Sequence, residues 1–287
     1  MMLQPSPPLS LNALLDDPKG LQHHIQHSLH AAANPQPLWE DGHPINNGLS
    51  VVFFLLGMQR TASGRPLEPC VILNKRSAKV LQPGDICCPG GGIAPRIDRL
   101  LAGLLGLPLG PMQYWEYRPF WQRQAPRSLP RLRLLLATAL REGLEEMRLN
   151  PLGVGFQGVL PPERLVMFRR IIYPLVGWVG RQRHFFPNWE VAEVVRIPLR
   201  DLLAPANYLG LQLKIKSQGA HGEDGGDMGL FPAFRCHTFQ GTEFLWGATY
   251  RITMSFLQRV FGFVPPDPEM GTVVEKHLGA DYLSGKD

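Results

Sequence analysis

Apolar positions along the chain fall into short continuous runs bounded by Gly and Pro, interleaved with stretches at helical spacing. Residues 11–33 read as an amphipathic helix that sets His23, His27 and His30 on one face. Residues 50–56 and 69–75 are continuous apolar runs and predict strands; residues 85–88 predict a third, short one. A helix is expected over 97–107, and the strongest helical pattern covers 132–149, with Leu134, Leu135, Ala139 and Leu140 apolar and Asn150-Pro151 as its stop. Further strands are expected at 153–159, 171–179 and 191–197, and a last helix at 246–261. Residues 1–10, 34–48 and 216–229 read as loops, and the last 20 residues as a tail. Strands and helices alternate too irregularly for a regular doubly wound sheet.

Within the 132–149 helix, Glu142, Glu145 and Glu146 stand at i, i+3 and i+4. Those positions share a face, so three carboxylates converge within one turn and repel one another. A hard divalent cation with oxygen ligands, Mg²⁺ or Mn²⁺, would neutralise them. A solvated acidic face is the plain alternative. The histidine face of the N-terminal helix has metal-ligand spacing too, but such histidines are more often surface residues.

Composition narrows the picture modestly. A chain of 287 residues supports one large domain with extensions. The net charge of +5 suits a polyanionic small molecule, but without a basic stripe it does not argue for nucleic acid. The four cysteines contain no C-x-x-C pair, which speaks against a zinc site and for a reduced, cytoplasmic setting. No secretory signal is evident, and the longest apolar run, 51–57, is too short to span a bilayer.

Residues 89–92, Pro-Gly-Gly-Gly, and residues 141–149, beginning Arg141-Glu142, resemble the two halves of the Nudix box, G-x5-E-x7-R-E-U-x-E-E-x-G-U. Arg141, Glu142, Glu145, Glu146 and Leu149 match its second half. Arg148 replaces its final glycine, and 50 residues separate Gly91 from Arg141, far more than the pattern holds. The early glutamate has no exact counterpart; Asp98 is the nearest carboxylate. Upstream, ILNKRSAKVLQPGDICCPGG (72–91) resembles the signature of coenzyme A pyrophosphatases. It matches at Arg76, Ser77, Gly84 and Pro89-Gly90-Gly91, is one residue shorter, and lacks that family's His and Gln. Residues 190–208 and 244–252 are similar to two later blocks of the same family, and the blocks keep the family's order over roughly residues 48–262.

The resemblance implies an α/β fold, a Nudix-type α/β/α sandwich with a mixed sheet. The domain would span 48–265, after a helical extension at 1–47 and before a tail at 266–287. A long insertion, about 96–131, would split the box. The resemblance implies Mg²⁺ or Mn²⁺ held by Glu142, Glu145, Glu146 and the backbone carbonyl of Gly91. Arg141 would pair with Asp98 to hold the loop against the helix. Glu190, preferred narrowly over Glu193, would serve as general base beside Glu142 and Glu145. Arg76 and Ser77 would bind the nucleotide half of the substrate. The implied reaction is hydrolysis of the diphosphate of coenzyme A or acyl-CoA to 3′,5′-ADP and phosphopantetheine or its acylated form. Another nucleoside diphosphate substrate, and a nucleotide-binding regulator without turnover, both stay open. The expected partner is a small-molecule nucleotide, with no nucleic acid and no membrane. The insertion carries Trp115, Tyr117, Phe120 and Trp121 among arginines. A structural role there, as a small core, a lid or a homodimer contact, is preferred over adenine stacking.

Overall fold

The computed structural model describes residues 10–32, 49–60, 67–107, 110–165, 170–215, 227–238, 241–279 and 282. Of the loops expected at 1–10, 34–48 and 216–229, residues 1–9, 34–48 and 216–226 lie outside them, whereas 227–229 open a strand and not a loop. In chain order the elements are α1 (Leu11–Asp16), α2 (Pro18–Ala32), β1 (Leu49–Gln59), β2 (Glu68–Arg76), β3 (Ile86–Cys87), β4 (Gly90–Gly92), α3 (Pro95–Leu104), α4 (Arg118–Gln124) and α5 (Leu129–Met147). They continue with β5 (Val154–Val159), β6 (Glu163–Leu165), β7 (Arg170–Val179), β8 (Val191–Pro198), α6 (Leu199–Leu202), β9 (Tyr208–Ile215), β10 (Asp227–Thr238), β11 (Gly241–Leu245), α7 (Gly247–Phe261) and β12 (Val273–Leu278).

Two sheets form. The larger has eight strands, ordered β3-β2-β1-β7-β5 along its main path, with β4, β6 and β8 pairing off that path. It is mixed: β1 runs parallel to β7 and antiparallel to β2 and β4. Side chains alternate across β1, and so does the core. Val51, Phe53 and Leu55 join α5 and the insertion on one face; Phe54 and Leu56 join α1, α2 and α7 on the other. Phe53 to Leu56 are fully buried, each worth about 1.5–3 kcal/mol of apolar transfer. The larger sheet is thus a central layer with helices on both sides.

The second sheet, β11-β10-β9-β12, was not expected from the sequence. Part of the expected tail is ordered within it: β12 pairs parallel with β9, from Val273↔Gly210 to Leu278↔Ile215. Tyr282 beyond it is buried, and its hydroxyl donates to Asp85. Asp85 also accepts from Trp246 Nε1 at 3.2 Å, which ties the start of α7 to the turn before β3.

The expected single N-terminal helix is two helices. Pro18 starts the second, and the Asp17 carboxylate caps it by accepting from Lys19 N–H at 3.1 Å. Leu21, Ile25 and Leu29 bury its inner face. Its histidines grip the insertion: His23 pairs with Glu116 at 3.0 Å, His27 bonds the Tyr117 hydroxyl at 3.0 Å, and His30 stacks on the Tyr117 ring. In the insertion, Trp115 and Trp121 are 5% and 6% exposed and pack with Phe156 and α5, so they are core. No helix among the described residues is long and apolar enough to cross a membrane.

Candidate active site

Helix α5 carries the site. Leu132, Leu135, Leu136, Ala139, Leu140 and Met147 bury one face against the sheet, which leaves Arg141, Glu142, Glu145 and Glu146 on the other side of its last two turns. The helix stops at Met147, earlier than Asn150. Arg148 takes the left-handed conformation at φ 55°, while Leu149 N–H donates to Gly143 O at 3.1 Å. That closing bond satisfies a helix-end carbonyl and brings Leu149 under Gly143. A non-glycine residue at φ > 0 is strained, yet here it takes the place of the pattern's glycine.

The glycine turn packs directly on the helix. Gly91 lies opposite Val51 of β1, and a Cβ at Gly91 would stand 2.5 Å from Glu142 Oε1. A Cβ at Gly90 would stand 2.3 Å from the Val51 carbonyl. Gly90, at φ 156° against backbone, therefore demands glycine, while at Gly91 the space a Cβ would fill is occupied by a carboxylate that can move.

Arg141 joins these parts. Its Nε donates to Asp98 Oδ1 at 2.7 Å and its Nη2 to Gly92 O at 2.9 Å. It pairs with Glu142 at 2.9 Å and Glu145 at 3.0 Å. Asp98 is fully buried; its Oδ2 also accepts from Ala94 N–H at 2.7 Å and Thr138 Oγ1 at 2.8 Å. One carboxylate thus fixes the start of α3, the middle of α5 and the arginine. The pairing expected of Arg141 and Asp98 is present despite the insertion between the two halves of the box.

Glu146 is the most perturbed of the acids. Asn74 Nδ2 donates to it at 2.8 Å and Gly90 N–H at 3.4 Å. Burial pushes its carboxyl up to about 8, with the charges of Glu142 and Glu190 adding to the rise and those two hydrogen bonds opposing it. Burial also raises Glu142, against the pull of Arg141. Glu145 is half-exposed. Asn74 was not singled out from the sequence. The signal was there: a lone amide in an otherwise apolar strand, VILNK, which burial leaves needing a partner.

Residues 181–190 form a strap across the end of α5, where Asn188 N–H donates to Glu146 O at 2.8 Å and Phe186 N–H to Met147 O at 3.1 Å. The strap brings Glu190 close enough for its charge to act on Glu146. Ser77 N–H donates to Glu190 O at 2.8 Å, so the Arg76–Ser77 turn abuts the same point. Arg76 itself braces its own turn, donating from Nε to Leu81 O at 2.7 Å. Glu193 lies further along β8, beside Arg183 and Arg196.

The donor set is hard oxygen throughout, which fits Mg²⁺ or Mn²⁺ in kind. The arrangement is not a closed cage: among the described residues no three His, Cys, Asp or Glu side chains converge as ligands. Arg141 draws off Glu142 and Glu145, and Asn74 holds Glu146.

No model of a known protein family matches the chain. Over 87 residues it is 39% identical to the uncharacterized Nudix hydrolase NudL of Pectobacterium atrosepticum, a match covering 30% of this chain and 45% of that protein. The chain thus aligns with less than half the length of this curated relative. Among solved structures, a MutT/nudix family protein from Enterococcus faecalis is similar at 12% identity and a TM-score of 0.38, covering 88% of this chain and 78% of that one. A Nudix hydrolase from Alicyclobacillus acidocaldarius gives 16% identity and a TM-score of 0.35, over 55% and 82% respectively. Structural likeness this weak establishes neither a shared fold nor an activity.

Proposed function

We propose that the protein is a metal-dependent Nudix pyrophosphatase that hydrolyses the diphosphate of coenzyme A or acyl-CoA to 3′,5′-ADP and phosphopantetheine or its acylated form. The observation that carries this reading is the packing of the Glu142 carboxylate into the space a Gly91 side chain would fill, with Arg141 clamping both to Asp98. Glycine turn, arginine and glutamates thereby form one unit, and a local match of 39% identity over 87 residues to a Nudix hydrolase supports the same reading.

In this reading Glu142, Glu145, Glu146 and the Gly91 carbonyl hold Mg²⁺ or Mn²⁺. When bound, the cation neutralises the charge of the diphosphate and lowers the pKa of water. The residues do the rest. Glu146, already short of solvation, gives up its proton as the site loads. Arg141, fixed by Asp98, keeps Glu142 and Glu145 beside it on a helix, a more rigid mount than a loop, and would have to yield them to the cation. Glu190, or a carboxylate of the box, accepts the proton of the attacking water. Arg76 and Ser77, beside Glu190, face the nucleotide half.

One observation favours a second reading, nucleotide binding without turnover: the absence, among the described residues, of a ready set of three converging ligands. The test is product analysis. Coenzyme A, an ADP-sugar and a dinucleotide are each incubated with Mg²⁺ or Mn²⁺, and the products are separated. Release of 3′,5′-ADP from coenzyme A, lost in Glu145→Gln, is expected. Cleavage of only the other two overturns the substrate assignment, and silence with all three overturns the enzymatic reading.

A further inference from the structure

We propose that a second, basic cleft, distinct from the glutamate face of α5, binds the phosphate end of a nucleotide-sized anion. The cleft has a volume of about 610 Å³ and opens at the edge of β8, where the strap and the end of β1 meet β10 of the second sheet. That volume lies in the range of small-molecule sites. None of Glu142, Glu145, Glu146 and Glu190 lines it.

Its chemistry is one-sided. Arg60, Arg183 and Arg196 converge on it from three different elements, with His184 and His237 beside them and Glu193 as the single carboxylate. Three fixed cations line it against one carboxylate; Glu68, which accepts from Gln59, and Asp201, within electrostatic reach of His237, flank it, so the lining itself stays net positive, and low-dielectric walls concentrate such a field. Arginines are often merely solvated. These differ in that the end of β1, the strap and β8 aim them into one concavity. Arg60 and Arg183 are both exposed. Both are therefore available to a ligand, and a planar guanidinium fork matches phosphate oxygens in pairs.

Arg196 does a different job. Its Nη2 donates to the Arg183 carbonyl at 2.6 Å, and its guanidinium lies 5.2 Å from the centre of the Phe185 ring. It pins the strap to β8 and so sets where Arg183 stands. Met58, Val194 and Val195 supply apolar wall. Guanidinium groups with an apolar wall suit a phosphorylated small molecule with a ring or chain to bury, more than a bare inorganic ion.

This inference does not depend on hydrolysis at α5, and its test separates the two. ADP is titrated calorimetrically into the 287-residue chain in EDTA, so that metal-dependent turnover is off. In EDTA the glutamate site lacks the cation that would neutralise a diphosphate beside its carboxylates, so the wild type is expected to bind one equivalent, at the cleft. Arg60→Gln/Arg183→Gln is expected to lose about tenfold or more in affinity, the scale of lost charge-assisted hydrogen bonds. Glu145→Gln is expected to bind as the wild type does. Both arginines are on the surface; should the double variant melt early, the single charge reversal Arg183→Glu takes its place with the same expectation. No binding by the wild type, undiminished affinity in the arginine variants, or a loss that follows Glu145→Gln instead would each overturn the assignment.

Discussion

Replacing Asp98 by Ala removes the group that holds the two halves of the site together. The carboxylate is fully buried and accepts from Ala94 N–H, Thr138 Oγ1, Arg141 Nε and, at 3.3 Å, Arg141 Nη2. Breaking a buried ion pair by deleting one partner costs about 3–5 kcal/mol, because the other charge is left uncompensated. Arg141 is only 11% exposed, but it keeps Glu142, Glu145 and the Gly92 carbonyl. The lower end of that range is therefore expected, about 3 kcal/mol. For a chain of this size that corresponds to a fall in melting temperature of roughly 6 °C. Asp98→Asn keeps the shape and one acceptor oxygen, and should cost about half as much. The assay is thermal unfolding followed by circular dichroism in EDTA, with Arg141→Met and the double variant completing a cycle. A coupling energy well above 1 kcal/mol is expected between the two positions. An Asp98→Ala protein melting within about 1 °C of wild type would refute the reasoning, since no fully buried carboxylate with four donors should be that dispensable.

Gly91→Ala should expel the Glu142 carboxylate and reduce metal affinity by about tenfold or more, while the melting temperature changes little because the Glu142 side chain can move; metal titration and melting read the two effects apart. Gly177→Ala, far from the site, should instead cost about 1–3 kcal/mol by overpacking, because its Cβ would stand 2.5 Å from the Phe53 ring; denaturant unfolding measures it. With Glu146 held up to about 8 by burial, it carries a proton at pH 6 that metal must displace, so Mn²⁺ affinity should rise by up to roughly tenfold per pH unit from 6 and level off above 8. The same shift has the opposite effect on the metal-free fold: a carboxyl raised in the folded state stabilises it at low pH, and that contribution is lost as pH climbs from the ordinary carboxyl range toward 8. Melting in EDTA from pH 5 to 8 should show the decline, and Glu146→Gln should flatten it.

Local pattern made part of this molecule legible. The i, i+3, i+4 glutamates lie on α5 because helical geometry fixes their spacing whatever the surroundings. The Arg141–Asp98 pair was legible only through the resemblance to a box pattern; that Asp98 is fully buried, and so needs its cation, is a property of the fold. What depended on distant partners was not. β12, VVEKHL, has too few apolar residues to announce a strand, and its parallel pairing with β9 is set by chain folding about sixty residues away. The end of α5 slipped because Asn150-Pro151 is the louder stop signal. The bond from Leu149 to Gly143 closes the helix first. Glu146 looked like one of three equivalent acids. Asn74, on a strand 72 residues earlier, makes it the buried one.

The central claim is that the glutamate face of α5 is a divalent-metal site built for hydrolysis. Its most direct test is Mn²⁺ titration of the 287-residue chain, followed by electron paramagnetic resonance of the free ion, with Glu142→Gln and Glu146→Gln alongside. The account predicts saturable Mn²⁺ uptake by the wild type, weakened by about tenfold or more in each variant. Uptake that is absent, or unchanged by both substitutions, would contradict it.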